Sequence, residues 1–120
     1  MSEENIGAVT IAPEVLMDIV RLTTLATPGV AALSPDHPNP MSRLFSGKIS
    51  RGIRLDLQDS AVSIDLHVIV EPETQMLPLA HALQLDISRA IQEVVGMPVR
   101  AVNIHIEDVA DNTSEDPKGF

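Results

Sequence analysis

A strictly alternating stretch is the strongest structural pattern in this sequence. From Val62 to Val70 every second residue is aliphatic, and the residues between them are mostly polar. This two-residue period is that of a β-strand with one buried face. Ile53 to Gln58 alternate in the same way, and Asp59-Ser60 between the two stretches is a turn sequence. We therefore predict a β-hairpin whose polar face meets solvent, which antiparallel sheets tolerate.

Two further stretches carry apolar residues at helical spacing. Pro13 suits the first position of a helix that Thr27-Pro28-Gly29 ends. Its apolar stripe is expected at Val15, Ile19, Leu22 and Ala26, widened by Leu16 and Val20. A second helix is predicted from about Leu77 to Val95, with Gly96 ending it. Its buried face is expected to comprise Ala80, Leu83, Ile87, Ala90, Ile91 and Val94, leaving Leu85 exposed.

Three more strands complete the prediction. They are Ile6 to Ala12, Val30 to Leu33, and Val99 to Val109. Ser34 to Pro40 is expected to form a loop because it contains three prolines, and Met41 to Phe45 to form one helical turn. Beyond Val109 the sequence is polar and acidic, which predicts a disordered tail.

These elements define a fold class. Two helices with one apolar stripe each and a sheet with one apolar face are complementary layers. We predict an α+β protein built as a two-layer α/β sandwich, with a mixed sheet, two helices on one face, and the order β-α-β-β-β-α-β. It would form a single domain over residues 5–109, followed by a disordered acidic tail over 110–120.

Composition excludes several functions. The 120 residues include no cysteine, so disulfides, cysteine-ligated metals and cysteine nucleophiles are excluded. A net charge of −9 and only two aromatic residues argue against nucleic-acid binding, which requires basic surfaces or stacking platforms. No apolar run approaches the roughly 20 residues of a membrane-spanning helix. The acidic start is unlike a secretory signal, so we expect a cytoplasmic protein that does not itself insert into the membrane.

Histidines and acids on the outward faces of two strands form the one constellation suited to a metal. His67 and Asp65 lie on one strand, and His105 and Glu107 on another. If the strands were neighbours, two imidazoles and two carboxylates could ligate zinc. The alternative is a solvated sheet face with cross-strand pairs. The second interpretation is preferred, so we predict no metal site and no cofactor.

Catalytic groups do not emerge from the sequence. No serine lies in a Gly-x-Ser-x-Gly elbow, and no glycine-rich phosphate loop follows a strand. The carboxylates on the predicted strands fall on faces expected to be wet. We therefore predict a protein without enzymatic activity and without catalytic residues.

One segment is basic although the chain as a whole is acidic. Four of the eight basic residues fall within twelve positions, at Arg43, Lys48, Arg51 and Arg54. They could form a solvated loop that balances nearby acids. Alternatively they form a docking surface for an acidic partner, which the net charge of −9 favours over direct lipid binding.

Several collinear segments resemble a known bacterial family. They are Gly7-Ala8-Val9-Thr10-Ile11-Ala12-Pro13-Glu14-Val15, Pro28-Gly29-Val30-Ala31, Ser50-Arg51-Gly52-Ile53, Gln84, and the run from Gly96 to Val109 with Val102-Asn103-Ile104-His105-Ile106. In this order and spacing the chain resembles the alkaline shock, or envelope stress response, protein family over roughly Ile6 to Val109.

The resemblance implies a small cytoplasmic α/β protein without an established enzymatic activity or cofactor. Some members of the family self-associate and are held near the cell membrane by a small integral membrane partner. By this resemblance we expect a structural or interaction protein that acts through self-association and a membrane-protein partner. The alternative is a regulatory module that senses a small ligand or a metal.

Overall fold

A computed structural model describes residues 6–35 and 47–111, with the backbone alone at 47 and 48. Helix α1 (Pro13–Ala26) is followed by strands β1 (Val30–Leu33), β2 (Gly47–Ser50), β3 (Ile53–Gln58) and β4 (Ala61–Val70). Helix α2 (Met76–Ala90) continues into one π-helical turn (Ile91–Val95) and leads to strand β5 (Val99–Val109). The predicted α+β class with a mixed sheet is confirmed, although the element order differs as described below.

Strand β4 is the centre of the sheet. It pairs antiparallel with β3 over its first residues and antiparallel with β1 over its last, so these two strands lie end to end along one side. His67 joins them, because its N–H donates to the Gly52 carbonyl at 2.8 Å and its carbonyl accepts from the Ser34 N–H at 2.9 Å. Strand β5 runs parallel to β4 along the other side, and β2 pairs antiparallel with β3.

The hydrophobic core lies between the sheet and the two helices. In β4 every second residue from Val62 to Val70 is fully buried. Helix α2 contributes a stripe at four-residue steps, consisting of Leu79, Leu83, Ile87 and Ile91. Burial of this stripe and of the inner sheet face is the main contribution to stability, at roughly 25 cal/mol per Å² of apolar surface. The hairpin of β3 and β4, the bounds of β1 and β5, and the end of the second helix at Gly96 (φ 81°) are as predicted.

The predicted first strand is wrong. Residues 6–12 form neither helix nor strand, and every one of them is exposed. Conversely, Gly47–Ser50 is a strand that the sequence did not predict. The order of the described elements is therefore α-β-β-β-β-α-β. The predicted helical turn at Met41 to Phe45, most of the proline-rich loop, and the tail beyond Asp111 lie outside the described residues.

The rotation predicted for α1 is also wrong. Val15, Leu22 and Ala26, at the predicted centre of the stripe, are exposed. The buried residues are Leu16 and Val20, which were expected only to widen the stripe, together with Met17 and Thr24. In α2 the predicted face is nearly right, because Leu83, Ile87 and Ile91 are buried and Leu85 is 56% exposed. Val94, however, is 72% exposed, and Leu79 takes a place in the core instead. The stretch that contains Val94 is a π-helical turn, whose wider spiral changes the side-chain period.

Candidate functional site

The sheet face opposite the helices carries the chemistry-bearing residues. We call it the outer face. Its side chains alternate with the buried ones along three neighbouring strands: Arg54, Asp56 and Gln58 on β3, Ser63, Asp65, His67 and Ile69 on β4, and Ala101, Asn103, His105 and Glu107 on β5. No described helix or strand covers this face, and the side chains of Asp65, His67, His105 and Glu107 on it are partly exposed.

Two histidines stack at the centre of the outer face. The parallel register places His67 of β4 directly beside His105 of β5. Their ring centroids are 4.4 Å apart, and the ring planes differ by 11°. Side chains directly opposite each other on one face of a sheet are close enough to interact. The contact is therefore a direct consequence of the register between β4 and β5.

Carboxylates flank the stacked rings. Glu107 Oε2 lies 2.7 Å from His67 Nδ1, within hydrogen-bond distance, and a carboxylate oxygen accepts this hydrogen bond from a protonated ring nitrogen. Asp65 Oδ1 lies 3.7 Å from His105 Nε2 and accepts a hydrogen bond of 2.9 Å from Asn103 Nδ2. The side chains of these two ion pairs are between 31% and 47% exposed. Pairs this exposed contribute about 0–1 kcal/mol each to stability.

The four residues that the sequence singled out as metal-ligand candidates do come together. A metal ion, however, needs lone pairs that converge on one point, and stacked rings hold theirs in nearly parallel planes. His67 Nδ1 is also engaged with Glu107. Within residues 6–35 and 49–111, no three His, Asp or Glu side chains are grouped so that they could hold a metal ion.

The basic residues predicted to form a docking surface cluster around one hairpin. Lys48 lies on β2, Arg51 is exposed in the turn after it, and Arg54 follows on β3 opposite Asp65. Arg43 lies outside the described residues. The hairpin therefore places these three residues close together along the backbone at the β2 side of the sheet.

Two features of the structure were not predicted from the sequence pattern. Gln84 Nε2 donates to the Val102 carbonyl at 3.0 Å, which fastens α2 to β5; the sequence singled out Gln84 only through the family resemblance. An open depression lies where the end of α1 meets α2, lined by Leu22, Thr23, Ala26, Thr27, Pro28 and Asp86. It was missed because Leu22 and Ala26 were assigned to the core.

The arrangement defines a two-layer α+β domain with one sheet face that no described helix covers. MamM C-terminal domains share this fold. A zinc form of that domain superposes with a TM-score of 0.50 and 13% sequence identity over 88% of this chain and 91% of the domain. A second zinc form gives a TM-score of 0.50 and 15% identity over 83% and 90%.

Sequence comparison then identifies the family. The sequence profile of the alkaline shock protein family, described as having a cell envelope-related function, matches residues 1–111, and the chain belongs to this family. An uncharacterized protein of Streptococcus pyogenes is 27% identical over 119 residues, covering 98% of this chain and 90% of that protein. The uncharacterized Bacillus subtilis protein YqhY is 26% identical over 113 residues, covering 92% and 83%. The expected family resemblance is confirmed.

Across the described ranges, no helix is both long enough and apolar enough to cross a lipid bilayer.

Proposed function

We propose that this protein is a non-enzymatic interaction protein of the cell envelope. It acts in the cytoplasm, associates with itself, and docks onto a membrane-protein partner that holds it near the membrane. The observation that carries the proposal is the match of residues 1–111 to a family with a cell envelope-related function.

The surface of the domain supports an interaction role. Its clustered ionisable groups, the histidine pair and its carboxylates, lie on the outer face and are partly exposed. Catalytic groups gain their reactivity from burial and from excluded water, which this face does not provide. The helix layer, in turn, presents several large apolar side chains to solvent, with Leu22 64% exposed and Leu85 56% exposed. Apolar surface of this kind is available for contacts with other proteins.

The basic hairpin supports docking onto an acidic partner. Lys48, Arg51 and Arg54 stand out from a chain whose net charge is −9. Complementary charge steers association and selects partners more than it raises affinity. An anionic lipid surface would repel the rest of the chain, so an acidic segment of a membrane protein fits this hairpin better.

Capture of a partner from solubilised membranes tests the docking proposal. The Lys48→Glu, Arg51→Glu variant should recover about tenfold less of an integral membrane partner than the wild-type protein, because it reverses both charges. The Arg89→Glu, Arg100→Glu variant makes the same change in net charge elsewhere and should recover as much as wild type. Equal recovery by both variants would contradict docking through the hairpin.

A metal-sensing module is the second candidate, because the structure does assemble His67, His105, Asp65 and Glu107 on one face. Calorimetric titration with zinc compares the wild-type protein with the His67→Ala, His105→Ala variant. Since the rings are stacked and Nδ1 of His67 is engaged, we expect equal heats for the two proteins. A saturable heat that only the wild-type protein gives would establish the metal site instead.

A further inference from the structure

The segment that precedes α1 has the chemistry of a β-strand but no strand beside it. We call residues 6–12 the N-terminal arm. All seven residues are exposed, with Ile6 at 83% and Val9 at 91%. Residues 6–11 make no hydrogen bond to any other described residue. Ala12, which leads into α1, has the extended backbone angles φ −66° and ψ 141°.

This arm is unusual for a segment left in water. Gly7, Val9 and Ile11 alternate with Ala8 and Thr10, and none of the residues 6–12 is charged. β-Branched residues in alternation favour an extended strand that packs one face. Backbone N–H and C=O groups in such a segment are best satisfied by the edge of a sheet. The arm is thus suited to strand addition.

One edge of the sheet is guarded against strand addition. Strand β5 has two register shifts in its pairing with β4, and Gln84 of α2 binds its Val102 carbonyl. Irregularities that twist an edge and groups that cover it are the devices by which proteins prevent pairing there. Strand β5 is therefore a poor acceptor for the arm.

The opposite edge, formed by β2, is regular. Its four residues pair with β3 without a register shift. Ser50 and Ile53 flank the two-residue turn and form a hydrogen-bonded pair, so the next pair, Ile49 and Arg54, is a non-bonded one. The N–H and C=O of Ile49 therefore face the edge of β2 with which no described strand pairs. The Ile49 side chain is 42% exposed as well.

We propose that the N-terminal arm of one copy adds as a strand to the β2 edge of a second copy. This inference rests on the self-association in the proposed function and names its contact. Charge favours the pairing, since Glu3 and Glu4 precede the arm in the sequence and Lys48 and Arg51 lie on the acceptor hairpin. Every copy carries both halves of the contact, so association closes reciprocally into a dimer or propagates from copy to copy.

Two variants test the two sides of the contact separately, one altering the arm and the other altering the β2 edge. Val9→Pro, Thr10→Pro removes two successive amide donors from the arm, so one of them is lost whichever side the arm presents. Ile49→Pro removes the outward donor of β2 at a position where an edge strand tolerates proline. Matched controls that keep every amide are Val9→Ile, Thr10→Val and Ile49→Val. Circular dichroism establishes that each variant is folded before association is measured by sedimentation velocity.

We expect each proline variant alone to associate at least about tenfold more weakly than the wild-type protein, and the controls to match it. Mixed together, the two proline variants should form a one-to-one heterodimer, because one supplies an intact arm and the other an intact edge. Wild-type association that neither proline variant weakens would overturn the arm contact while leaving self-association standing. A wild-type protein that stays monomeric at tens of micromolar would instead refute the proposed self-association itself.

Hydrogen exchange distinguishes pairing between copies from pairing within one. Under the proposal, the amides of residues 6–12 gain protection as the protein concentration rises. Protection that is independent of concentration would mean that the arm pairs within its own chain, and it would overturn the inference.

Discussion

Replacing Ile87 with alanine is expected to lower the free energy of unfolding by about 2–5 kcal/mol. Ile87 is fully buried at the middle of the α2 stripe, between Leu83 and Ile91, in the core that the helices share with the sheet. Alanine removes the outer carbons of the side chain, and the close-packed surroundings relax only partly into the space left behind. Chemical denaturation followed by circular dichroism gives the change, with an unaltered m-value as the sign that only stability has changed.

Leu85→Ala on the same helix is the matched control. Leu85 is 56% exposed, so its truncation creates no cavity and should cost less than about 1 kcal/mol. The two substitutions alter the same helix by similar volumes and differ mainly in burial. Similar losses at the two positions would show that α2 presents a different face to the sheet from the one described.

The sequence predicts best the elements that bury one face in the core and leave the other face less buried. Strand β4 packs against the helices with one face, and its other face is less buried, so burial imposes a strict two-residue period that is visible in the sequence from Val62 to Val70. The stripe of α2 is visible for the same reason. A pattern of this kind records which face is buried, and no knowledge of the partner element is needed to read it.

Helix α1 shows where periodicity fails. Its sequence holds one apolar row at Val15, Ile19 and Leu22, and another at Leu16, Met17 and Val20. Both rows have helical spacing, so the local pattern does not select between them. The choice follows from how the helix meets β1, β2 and β3, which is tertiary information. The second row is buried, and the first is partly or largely exposed.

The predictions for the N-terminal arm and for β2 are wrong for complementary reasons. The arm has the sequence pattern of a strand, but a strand forms only beside a neighbouring strand. No strand in the described part of the chain pairs with the arm. Strand β2 has a weak pattern in Gly47–Ser50 and becomes a strand because β3 pairs with it. Pairing is a property of two segments, so single-segment reasoning misjudges both.

The arrangement of the outer-face histidines could be predicted only in part from the sequence. Alternation along β4 and β5 places Asp65, His67 and His105 outward, as expected from the sequence. That the two strands are neighbours follows only from the crossover through α2. A register shift after Ile106 leaves Glu107 without a directly paired residue on β4, and its carboxylate contacts His67 Nδ1. Bulges of this kind leave no reliable trace in a sequence.

Replacing Gly52 with alanine is expected to lower the free energy of unfolding by about 2–5 kcal/mol, combining left-handed strain with overpacking. Gly52 has φ +73°, a conformation that costs an alanine about 1–2 kcal/mol. A Cβ atom there would also lie 2.9 Å from the carbonyl oxygens of His67 and Ser34 and 3.1 Å from the Leu33 Cβ. This is the junction where β1 and β3 meet along β4, so the backbone of one of these strands must move.

Gly96→Ala separates the two contributions to that loss. Gly96 has a similar backbone angle, φ +81°, but nothing lies within 4 Å of the position a Cβ would take. Its substitution should therefore cost only the strain of the left-handed conformation, about 1–2 kcal/mol. Parallel denaturation curves of the two variants give the difference, which measures the close approach of three strands at Gly52. Equal losses would mean that the junction is looser than the structure shows, and that β1 is not held against β3 by this contact.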